Sequence, residues 1–217
     1  MIHKVLIVDD HPIFRDGLTS LINKEGDMSV CAEASDIYSA LELFNAYEPD
    51  VVIVDLNLVD SNGLELIKRL RLTSHSVKIL VASMHSESFF GERSLRAGAN
   101  GYICKEETPR SLINALRELL NNGFYMSPKL SNIIAKRHLA NAENGDSRPE
   151  CILSERELEV FTMVGKGSST KEIAHKLNLS VKTIDTYKEH IKRKLGIKDN
   201  TALIQQAVVW MVRESML

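Results

Sequence analysis

Three aspartates that stand directly after two short apolar runs are the residues of this chain most suited to chemistry. Asp9 and Asp10 follow the run 4–8, and Asp55 follows the run 51–54. Short β-branched runs predict buried parallel strands, whose carboxyl ends lie at one edge of a sheet. Neighbouring carboxylates repel one another unless a cation neutralises them, and oxygen ligands suit Mg²⁺. One such aspartate alone would be read as a turn or cap residue, whereas all three together predict a magnesium site.

A hydroxyl group and an ammonium group are predicted at the same edge of the sheet. Ser83 follows the apolar run 79–82, and Lys105 follows the run 101–104. Phosphoryl transfer requires an acceptor oxygen, a divalent cation and donors that neutralise the remaining phosphoryl charge. Ser83 or Lys105 alone would be read as a turn former or a solvated cation. With the three aspartates, they predict a phosphoryl-transfer site.

The first half of the chain alternates between apolar runs and amphipathic stretches, which predicts the elements that position these side chains. Runs typical of strands occupy residues 5–8, 29–32, 51–54, 78–82 and 101–104. Stretches with helical periodicity occupy residues 12–24, 37–47, 64–72, 88–97 and 109–121. Such alternation indicates a doubly wound α/β fold, in which five parallel strands carry helices on both faces. Sheets of this kind bind ligands beyond the carboxyl ends of their strands.

Length and composition indicate a folded protein of one large or two small domains. The chain has 217 residues, of which 44% are hydrophobic. No apolar stretch reaches the roughly 18 residues that span a bilayer, and the first residues read as a strand rather than a signal sequence. The three cysteines lack the spacing of a disulfide framework or zinc site; they are Cys31, Cys104 and Cys151. We therefore expect a cytoplasmic protein without a membrane partner.

The order Asp9-Asp10, Asp55, Ser83 and Lys105, with Ala-Gly-Ala-Asn-Gly-Tyr at 97–102, resembles the receiver domain of two-component response regulators. The resemblance covers residues 1–122 and implies a flavodoxin-like sheet with strand order 2-1-3-4-5. It also implies that Asp55 accepts a phosphoryl group from a sensor histidine kinase. Such a protein is no enzyme, apart from slow loss of its own phosphate.

The same resemblance implies a role for the residues around the acceptor. Mg²⁺ is expected to bind Asp10, Asp55 and the backbone carbonyl of Asn57, with Asp9 acting through water. Lys105 is expected to neutralise the charge of the phosphoryl group. Each of these roles belongs to the family and is carried over to the matching position of this chain.

Two further residues are implied to sense the phosphoryl group, and one position departs from the family. Ser83 is expected to move and hydrogen-bond the phosphoryl group, while Tyr102 changes rotamer in step. Val59 stands where the family usually has proline, so the rigidity of this loop and the phosphate lifetime are expected to differ. His11 and His85 lack a strand-end partner, so neither is predicted as a nucleophile or metal ligand.

The pattern changes after residue 122, and a second domain is predicted at residues 151–217. Residues 123–150 read as a linker with one helix near 128–139. Ser154 and Glu157 form a capping-box pattern at the start of the first helix of the second domain. Helices at 170–177 and 181–195 follow, with a helix-turn-helix motif at about 170–189. Such a motif places its second helix in the major groove of DNA.

The predicted helix 181–195 has an apolar and a polar face. Ile184, Tyr187, Ile191 and Leu195 recur at helical spacing and are predicted to be buried. The surrounding residues 166–198 hold nine lysines and arginines against three acids. A basic face is often merely solvated, so charge alone does not establish DNA binding. The candidate DNA-binding residues are Lys182, Thr183, Asp185, Thr186, Lys188, Glu189, Lys192, Arg193 and Lys194.

Residues 152–210 resemble the LuxR-type DNA-binding domain. The matching motifs are Leu-Ser-x-Arg-Glu-x-Glu-Val from residue 153, Gly-x-Ser-x-Lys-Glu-Ile-Ala from 167, and Lys-Leu-Gly-Ile from 194. A receiver followed by this domain is the architecture of the NarL/FixJ family of transcription factors. Many relatives carry Thr-Val-Lys-x-His where this chain has Thr-Ile-Asp-Thr-Tyr at 183–187. Acids accept from cytosine N4 rather than donate to guanine, so a different target sequence is expected.

One small DNA-binding domain makes few base contacts, so a homodimer on a two-fold promoter site is expected. Relatives dimerise through the last helix, which makes Leu203, Ala207 and Trp210 candidate dimer residues, although the same residues are also suited to closing the small core. Phosphorylation of Asp55 is expected to favour this dimer on DNA. RNA polymerase is a further candidate partner.

Two other functions fit parts of the pattern. Acids at strand ends also occur in Mg²⁺-dependent phosphatases, which would turn over free phosphate esters. A receiver that responds without phosphate would be a constitutive DNA-binding module. The complete set of Asp9, Asp10, Asp55, Ser83 and Lys105 favours the phosphorylated receiver.

Overall fold

The computed structural model describes residues 2–58, 61–85, 87–140 and 149–215. The chain divides into two compact units, Met1–Ser131 and Asn132–Leu217. Val59 and residues 141–148 of the polar linker lie outside the described residues, so the predictions made for them stay predictions. None of the helices within the described ranges has the length and apolar character needed to cross a membrane.

A five-stranded parallel sheet forms the centre of the first unit. The strands are β1 (His3–Val8), β2 (Met28–Ala34), β3 (Val51–Val54), the two-residue β4 (Asn57–Leu58) and β5 (Ser61–Asn62), β6 (Lys78–Ser83) and β7 (Gly101–Cys104). The large sheet has the order β2-β1-β3-β6-β7, while β4 and β5 pair only with each other. With that small hairpin set aside, this is the predicted order 2-1-3-4-5. The doubly wound fold is therefore confirmed.

Helices on both faces bury β3 along its whole length and most of β1, β6 and β7. They are α1 (Pro12–Ile22), α2 (Ile37–Tyr47), α3 (Gly63–Thr73), α4 (Glu87–Ala97) and α5 (Pro109–Asn122). Asp36, Asn62 and Thr108 cap α2, α3 and α5 by accepting hydrogen bonds from amides of the first turn. α5 ends at Asn122, and the Gly123 that follows has a φ of 74°, the left-handed conformation that favours glycine.

Arg71, near the end of α3, fastens the segments that lead into β6 and β7. Its guanidinium donates to the carbonyl of Gly98 at 2.6 Å, to the carbonyl of Val77 at 2.7 Å, and to the side-chain oxygen of Asn100. Asn100 in turn donates to the carbonyl of Gly123 at 3.0 Å. These bonds fix the start of two strands whose far ends carry Ser83 and Lys105.

The first unit extends to Ser131, whereas the receiver was predicted to end at residue 122. The Ser127 hydroxyl donates to the carboxylate of Glu87 at 2.6 Å, and both side chains are buried. Leu130, in the first turn of α6 (Pro128–Ala140), is buried against Gly91, where a Cβ would lie 2.7 Å from a Leu130 methyl group. The first turn of α6, within the predicted linker, is therefore held on α4.

The second unit is helical, as predicted. After α6 come α7 (Pro149–Ile152), α8 (Glu155–Gly165), α9 (Thr170–Lys176), α10 (Val181–Leu195) and α11 (Asn200–Ser215). Ser154 and Glu157 form the predicted capping box of α8, and Ser169 and Glu172 form a second one at α9. α9 and α10 form the helix-turn-helix, in which Ser180 caps α10 by accepting from the amide of Thr183.

The small core of the second unit contains the residues predicted to dimerise. The rings of Phe161 in α8 and Trp210 in α11 lie 5.5 Å apart, and Leu203, Ala207 and Trp210 are all buried. They close this core, which is the alternative that the sequence also allowed, and their predicted role in a dimer stays a prediction. α11 also exposes an apolar stripe on its other side, which consists of Ile204, Val208 and Val212.

Candidate functional site

The carboxyl ends of β1, β3 and β7 bring two aspartates and a lysine together. The Nζ of Lys105 lies 2.5 Å from Oδ2 of Asp9 and 2.6 Å from Oδ2 of Asp55. Only 4% of the Lys105 side chain and 3% of each aspartate side chain are exposed. Buried charges of this kind require partners, because each one left alone would lose its hydration without compensation. The ammonium of Lys105 therefore neutralises a carboxylate pair that would otherwise repel.

An aromatic ring completes the surroundings of this ammonium. The Nζ of Lys105 lies 4.3 Å from the ring centroid of Phe14 in α1, and the face of an aromatic ring attracts a cation. α1 begins with Pro12, whose fixed φ suits the first turn of a helix. Phe14 was not predicted as a site residue, because an apolar residue in an amphipathic helix gives no sign of a cationic neighbour.

Burial gives Asp55 a raised affinity for protons. Removal from water raises the pKa of Asp55 from 3.8 to about 6; the ammonium of Lys105 opposes this increase, and the charge of Asp9 adds to it. The backbone amide of Asn57 approaches Oδ1 of Asp55 at 3.3 Å. The polypeptide passes closely behind Asp55, because a Cβ on Gly63 would lie 2.1 Å from the Asp55 carbonyl oxygen.

The residues present fit a divalent cation with oxygen ligands. Asp9, Asp10, Asp55 and His11 offer ligand atoms that lie within 4.8 Å of one another. Carboxylates are the ligands that Mg²⁺ prefers, and two of them are held in place by Lys105. His11 was predicted to be neither a nucleophile nor a metal ligand, but its Nδ1 lies 2.6 Å from Oδ1 of Asp10, its amide donates to Asp9, and its ring offers a ligand atom to the same cluster.

Ser83 and Tyr102, the predicted phosphoryl sensors, are both fully buried beside the site. The Ser83 hydroxyl accepts from the backbone amide of His85 at 3.3 Å, and the Tyr102 hydroxyl donates to the carbonyl of His85 at 2.8 Å. Burial raises the pKa of Tyr102 well above its usual range, so the hydroxyl remains a donor. The backbone of His85 therefore connects the two residues.

The side chain of His85 reaches across the site to the loop that follows Asp55. Its Nε2 lies 3.0 Å from the side-chain nitrogen of Asn57, and its ring stacks on Phe90 with centroids 4.5 Å apart. Asn57 was predicted to contribute only its carbonyl, and His85 was not predicted to take part. No sequence motif marks either position. The contact forms because two loops that are separate in sequence meet in the folded chain.

An apolar groove of about 710 Å³ lies beside the site, between α1 and the segment that follows β7. His11 and Lys105 of the site line it together with residues such as Ile13, Phe14, Pro109 and Leu112. Ile13 is 89% exposed. The site therefore adjoins an accessible apolar surface.

In the second unit, two lysines of the predicted DNA-binding face have partners on other helices. The Nζ of Lys188 donates to the Thr170 hydroxyl at 2.5 Å, and the Nζ of Lys194 donates to Glu157 at 2.6 Å. Glu157 is buried and also serves in the capping box of α8. Lys194 therefore holds α10 against α8, which argues against its predicted contact with DNA phosphates.

The remaining charges of α10 divide into paired and unpaired groups. Lys192 lies 2.8 Å from Glu189. Lys182 and Arg193 are exposed, and no described residue pairs with their side chains. Ile184 and Ile191 are buried as predicted, whereas Tyr187 and Leu195 are only half-buried.

Comparison with protein families agrees with both units. Residues 5–117 match the response regulator receiver domain, and residues 151–207 match the bacterial regulatory proteins of the LuxR family. The chain is a LuxR-family response regulator. This response regulator has the NarL/FixJ architecture that its sequence predicted, with a receiver followed by a DNA-binding domain.

The response regulator is also similar to known proteins over most of its length. Oxygen regulatory protein NreC of Staphylococcus carnosus is 34% identical over 209 residues, which cover 94% of this chain and 96% of NreC. A LuxR-family response regulator from Aurantimonas has 33% identity and a TM-score of 0.59 over 64% of this chain and 99% of its own. RcsB from Salmonella enterica serovar Typhimurium, bound to a promoter with phosphomimetic BeF3−, has 26% identity and a TM-score of 0.61, covering 94% and 98% of the two chains.

Proposed function

We propose that this response regulator accepts a phosphoryl group on Asp55 from a sensor histidine kinase, and that phosphorylation promotes dimeric binding to promoter DNA. The observation that carries the proposal is the contact of Lys105 with both Asp9 and Asp55 at the carboxyl edge of the sheet. Phosphoryl transfer depends on charge neutralisation and positioning, and this edge supplies an acceptor carboxylate next to an ammonium. The second unit supplies the helix-turn-helix that binds DNA in response.

Asp55 is the nucleophile of the proposed transfer. One of its carboxylate oxygens attacks the phosphorus of a phosphohistidine, the P–N bond breaks, and its electron pair returns to the histidine ring. Mg²⁺, when bound, neutralises charge on the phosphoryl oxygens, and its proposed ligands are Asp10, Asp55 and the backbone carbonyl of Asn57, with Asp9 acting through water. The backbone amide of Asn57 helps to orient the attacking carboxylate.

Phosphorylation changes the partners of the groups around Asp55. Lys105 exchanges its carboxylate contacts for a phosphoryl oxygen, and the Ser83 hydroxyl donates to another. Ser83 now accepts from the amide of His85, so its rotation toward the phosphoryl group removes one of the bonds that hold this backbone. Tyr102 is bonded to the same backbone and responds to its movement. The receiver thus shifts between two states that favour different partners.

The kinase reaches Asp55 over the groove beside α1. The groove is apolar, adjoins Lys105, and includes the exposed side chain of Ile13. An exposed apolar surface of this kind commonly marks a protein-binding site. We assign the kinase contact to this surface.

The DNA contact is assigned to α10 of the helix-turn-helix. Lys182 and Arg193 are the exposed, unpaired cations for phosphates, and Lys188 lies beside the Thr170 hydroxyl, where both offer donors. Lys194 instead holds α10 on α8 through Glu157. Because its target is the bacterial chromosome, the protein is placed in the cytoplasm.

The dimer surface is assigned to the exposed stripe of α11. Ile204, Val208 and Val212 are 51%, 40% and 50% exposed and recur every four residues, so they form one apolar strip. The opposite side of α11 is already buried in the small core. A second copy of the chain fits this strip, because a two-fold DNA site brings two identical helices together.

The Val208→Glu variant is expected to weaken cooperative binding to a two-fold DNA site by about 10-fold or more, because a carboxylate would be buried unpaired in the dimer. Val208 is exposed in the single chain, so its unfolding transition should change little. Gel shifts on full and half sites measure the effect. Gln206→Glu, on another side of the same helix, is the control and should bind normally. Equal binding by both variants would remove α11 from the interface.

The full-length chain, incubated with Mg²⁺ and a small phosphodonor such as acetyl phosphate, tests the switch. Wild type is expected to gain one phosphoryl group by mass spectrometry and to require about 10- to 100-fold less protein to bind DNA. Asp55→Asn is expected to show neither change. An Asp55→Asn protein that binds as tightly and as dimerically as phosphorylated wild type contradicts the proposal.

The same experiment separates the two alternative functions. A phosphatase would release phosphate from a small ester over many turnovers, whereas we expect one phosphoryl group per chain and its slow hydrolysis. A receiver that works without phosphate would bind DNA equally before and after treatment.

A further inference from the structure

Asp185 is the one acid in the first two turns of α10, and it lies on the exposed side of the helix. Its carboxylate has neither a hydrogen bond nor an ion pair with any residue that the structure describes. The early turns of a recognition helix are those that meet base edges in the major groove. Asp185 is therefore positioned to meet bases while carrying a charge that phosphates repel.

The hydroxyl groups near Asp185 are already engaged within the helix. The Thr183 hydroxyl lies 2.7 Å from that of Ser180, and the Thr186 hydroxyl donates to the carbonyl of Lys182 at 3.0 Å. Within the described residues, these contacts leave Asp185, the ammonium of Lys182 and the hydroxyl of the half-buried Tyr187 as the available polar groups of the first two turns, and Asp185 and Lys182 are the exposed ones.

Glu189, the second acid of this face, has an ion-pair partner, whereas Asp185 has none among the described residues. Glu189 lies 2.8 Å from Lys192, so its charge is offset before DNA arrives. The sequence treats the two acids alike, because both lie on the polar side of α10. The structure distinguishes them, and it leaves Asp185 as the acid that needs a donor on the DNA.

The chemistry of the major groove determines which base supplies that donor. Guanine presents the acceptors O6 and N7, and thymine presents the acceptor O4 beside a methyl group. Adenine offers its N6 amino group next to the acceptor N7, which repels the second carboxylate oxygen. Cytosine offers its N4 amino group as a donor. Cytosine is therefore the base that a carboxylate meets with the least repulsion.

We propose that Asp185 accepts a hydrogen bond from the N4 amino group of a cytosine and so selects a C·G pair at one position of each DNA half-site. The inference rests on the proposed entry of α10 into the major groove. Asp185 lowers the affinity for every other sequence, because an unpaired carboxylate among phosphates is repelled. Its contribution is thus discrimination more than affinity.

Selection from a randomised DNA library by the full-length chain tests this inference. Wild type is expected to prefer cytosine about 10-fold or more at one position of each half-site. Asp185→Asn keeps the size of the side chain and adds a donor, so the preference at that position should move to adenine. Asp185→Ala should accept the four bases there within about two-fold. The other positions should keep their preferences.

Lys182→Gln is the matched control on the same face. It should weaken binding to all sequences and reduce the salt dependence, while the cytosine preference remains. If Asp185→Asn and Asp185→Ala select the same bases as wild type, the inference is overturned and DNA binding itself still stands. If wild type enriches no sequence at all, both the inference and the proposed major-groove entry fail.

Discussion

Replacement of Lys105 by alanine is expected to lower the free energy of unfolding of the first unit by about 3–5 kcal/mol at pH 7 without Mg²⁺. The variant leaves Asp9 and Asp55 buried without the ammonium that now lies 2.5 and 2.6 Å from them. It also removes the contact with the ring of Phe14. Lowering the pH to about 5 should recover part of the loss, because protonation removes a repelling charge.

Urea denaturation followed by far-UV circular dichroism measures this loss. The chain has one tryptophan, Trp210, in the second unit, so tryptophan fluorescence follows that unit separately. Lys68→Ala, on the exposed side of α3, is the control and should change stability by less than about 0.5 kcal/mol. If Lys105→Ala is no more destabilising than this control, the neutralising role of Lys105 is wrong.

Replacement of Asp55 by asparagine is expected to stabilise the first unit by up to about 3 kcal/mol at pH 7 without Mg²⁺. The folded-state pKa of Asp55 is raised from 3.8 to about 6, so the folded protein binds a proton more tightly than the unfolded chain. The contribution of Asp55 to the free energy of unfolding of the wild type therefore falls as the pH rises from about 4 to about 6, and it is constant above that. Asparagine resembles the protonated carboxyl group and lacks this penalty.

Urea denaturation of wild type and Asp55→Asn at a series of pH values tests the sign of this effect. The two proteins should have similar stability near pH 4, and the variant should gain between about pH 4 and 6. Asp36→Asn is a control of opposite sign, because hydrogen bonds from Ser39 lower the pKa of this capping carboxylate. That variant should lose stability at neutral pH and recover in acid. If the stability gain of Asp55→Asn does not change with pH, the raised pKa of Asp55 is not its cause.

The strands and the position of Asp55 were predictable because their signals are local. Apolar β-branched runs that end in an acid predicted β1 and β3 together with the positions of Asp9 and Asp55. The predicted helix 37–47 has the bounds of α2, since Asp36 supplies a cap and the apolar period is regular. The hairpin of β4 and β5 was not predicted, because two-residue strands have no periodicity to read.

Contacts between loops and helices were not predictable in the same way. Phe14 beside Lys105, and Asn57 beside His85, depend on segments that are remote in sequence and meet only in the folded chain. Partners inside the fold are equally invisible in the sequence, as Glu157 is for Lys194. Prediction from sequence is also limited for a helix that has apolar residues on both sides. In α11 the sequence does not indicate which side faces the core, and the structure buries Trp210 while exposing Val208.

The packing of the first turn of α6 on α4 connects part of the predicted linker to the segment that follows β6. His85, which Ser83 and Tyr102 hold, lies two residues before the start of α4, and Glu87 binds Ser127 just before α6. A Cβ at Gly91 would overlap Leu130, so α4 and the first turn of α6 are in close contact at this point. We therefore expect a movement of α4 to displace Leu130 and the first turn of α6 with it.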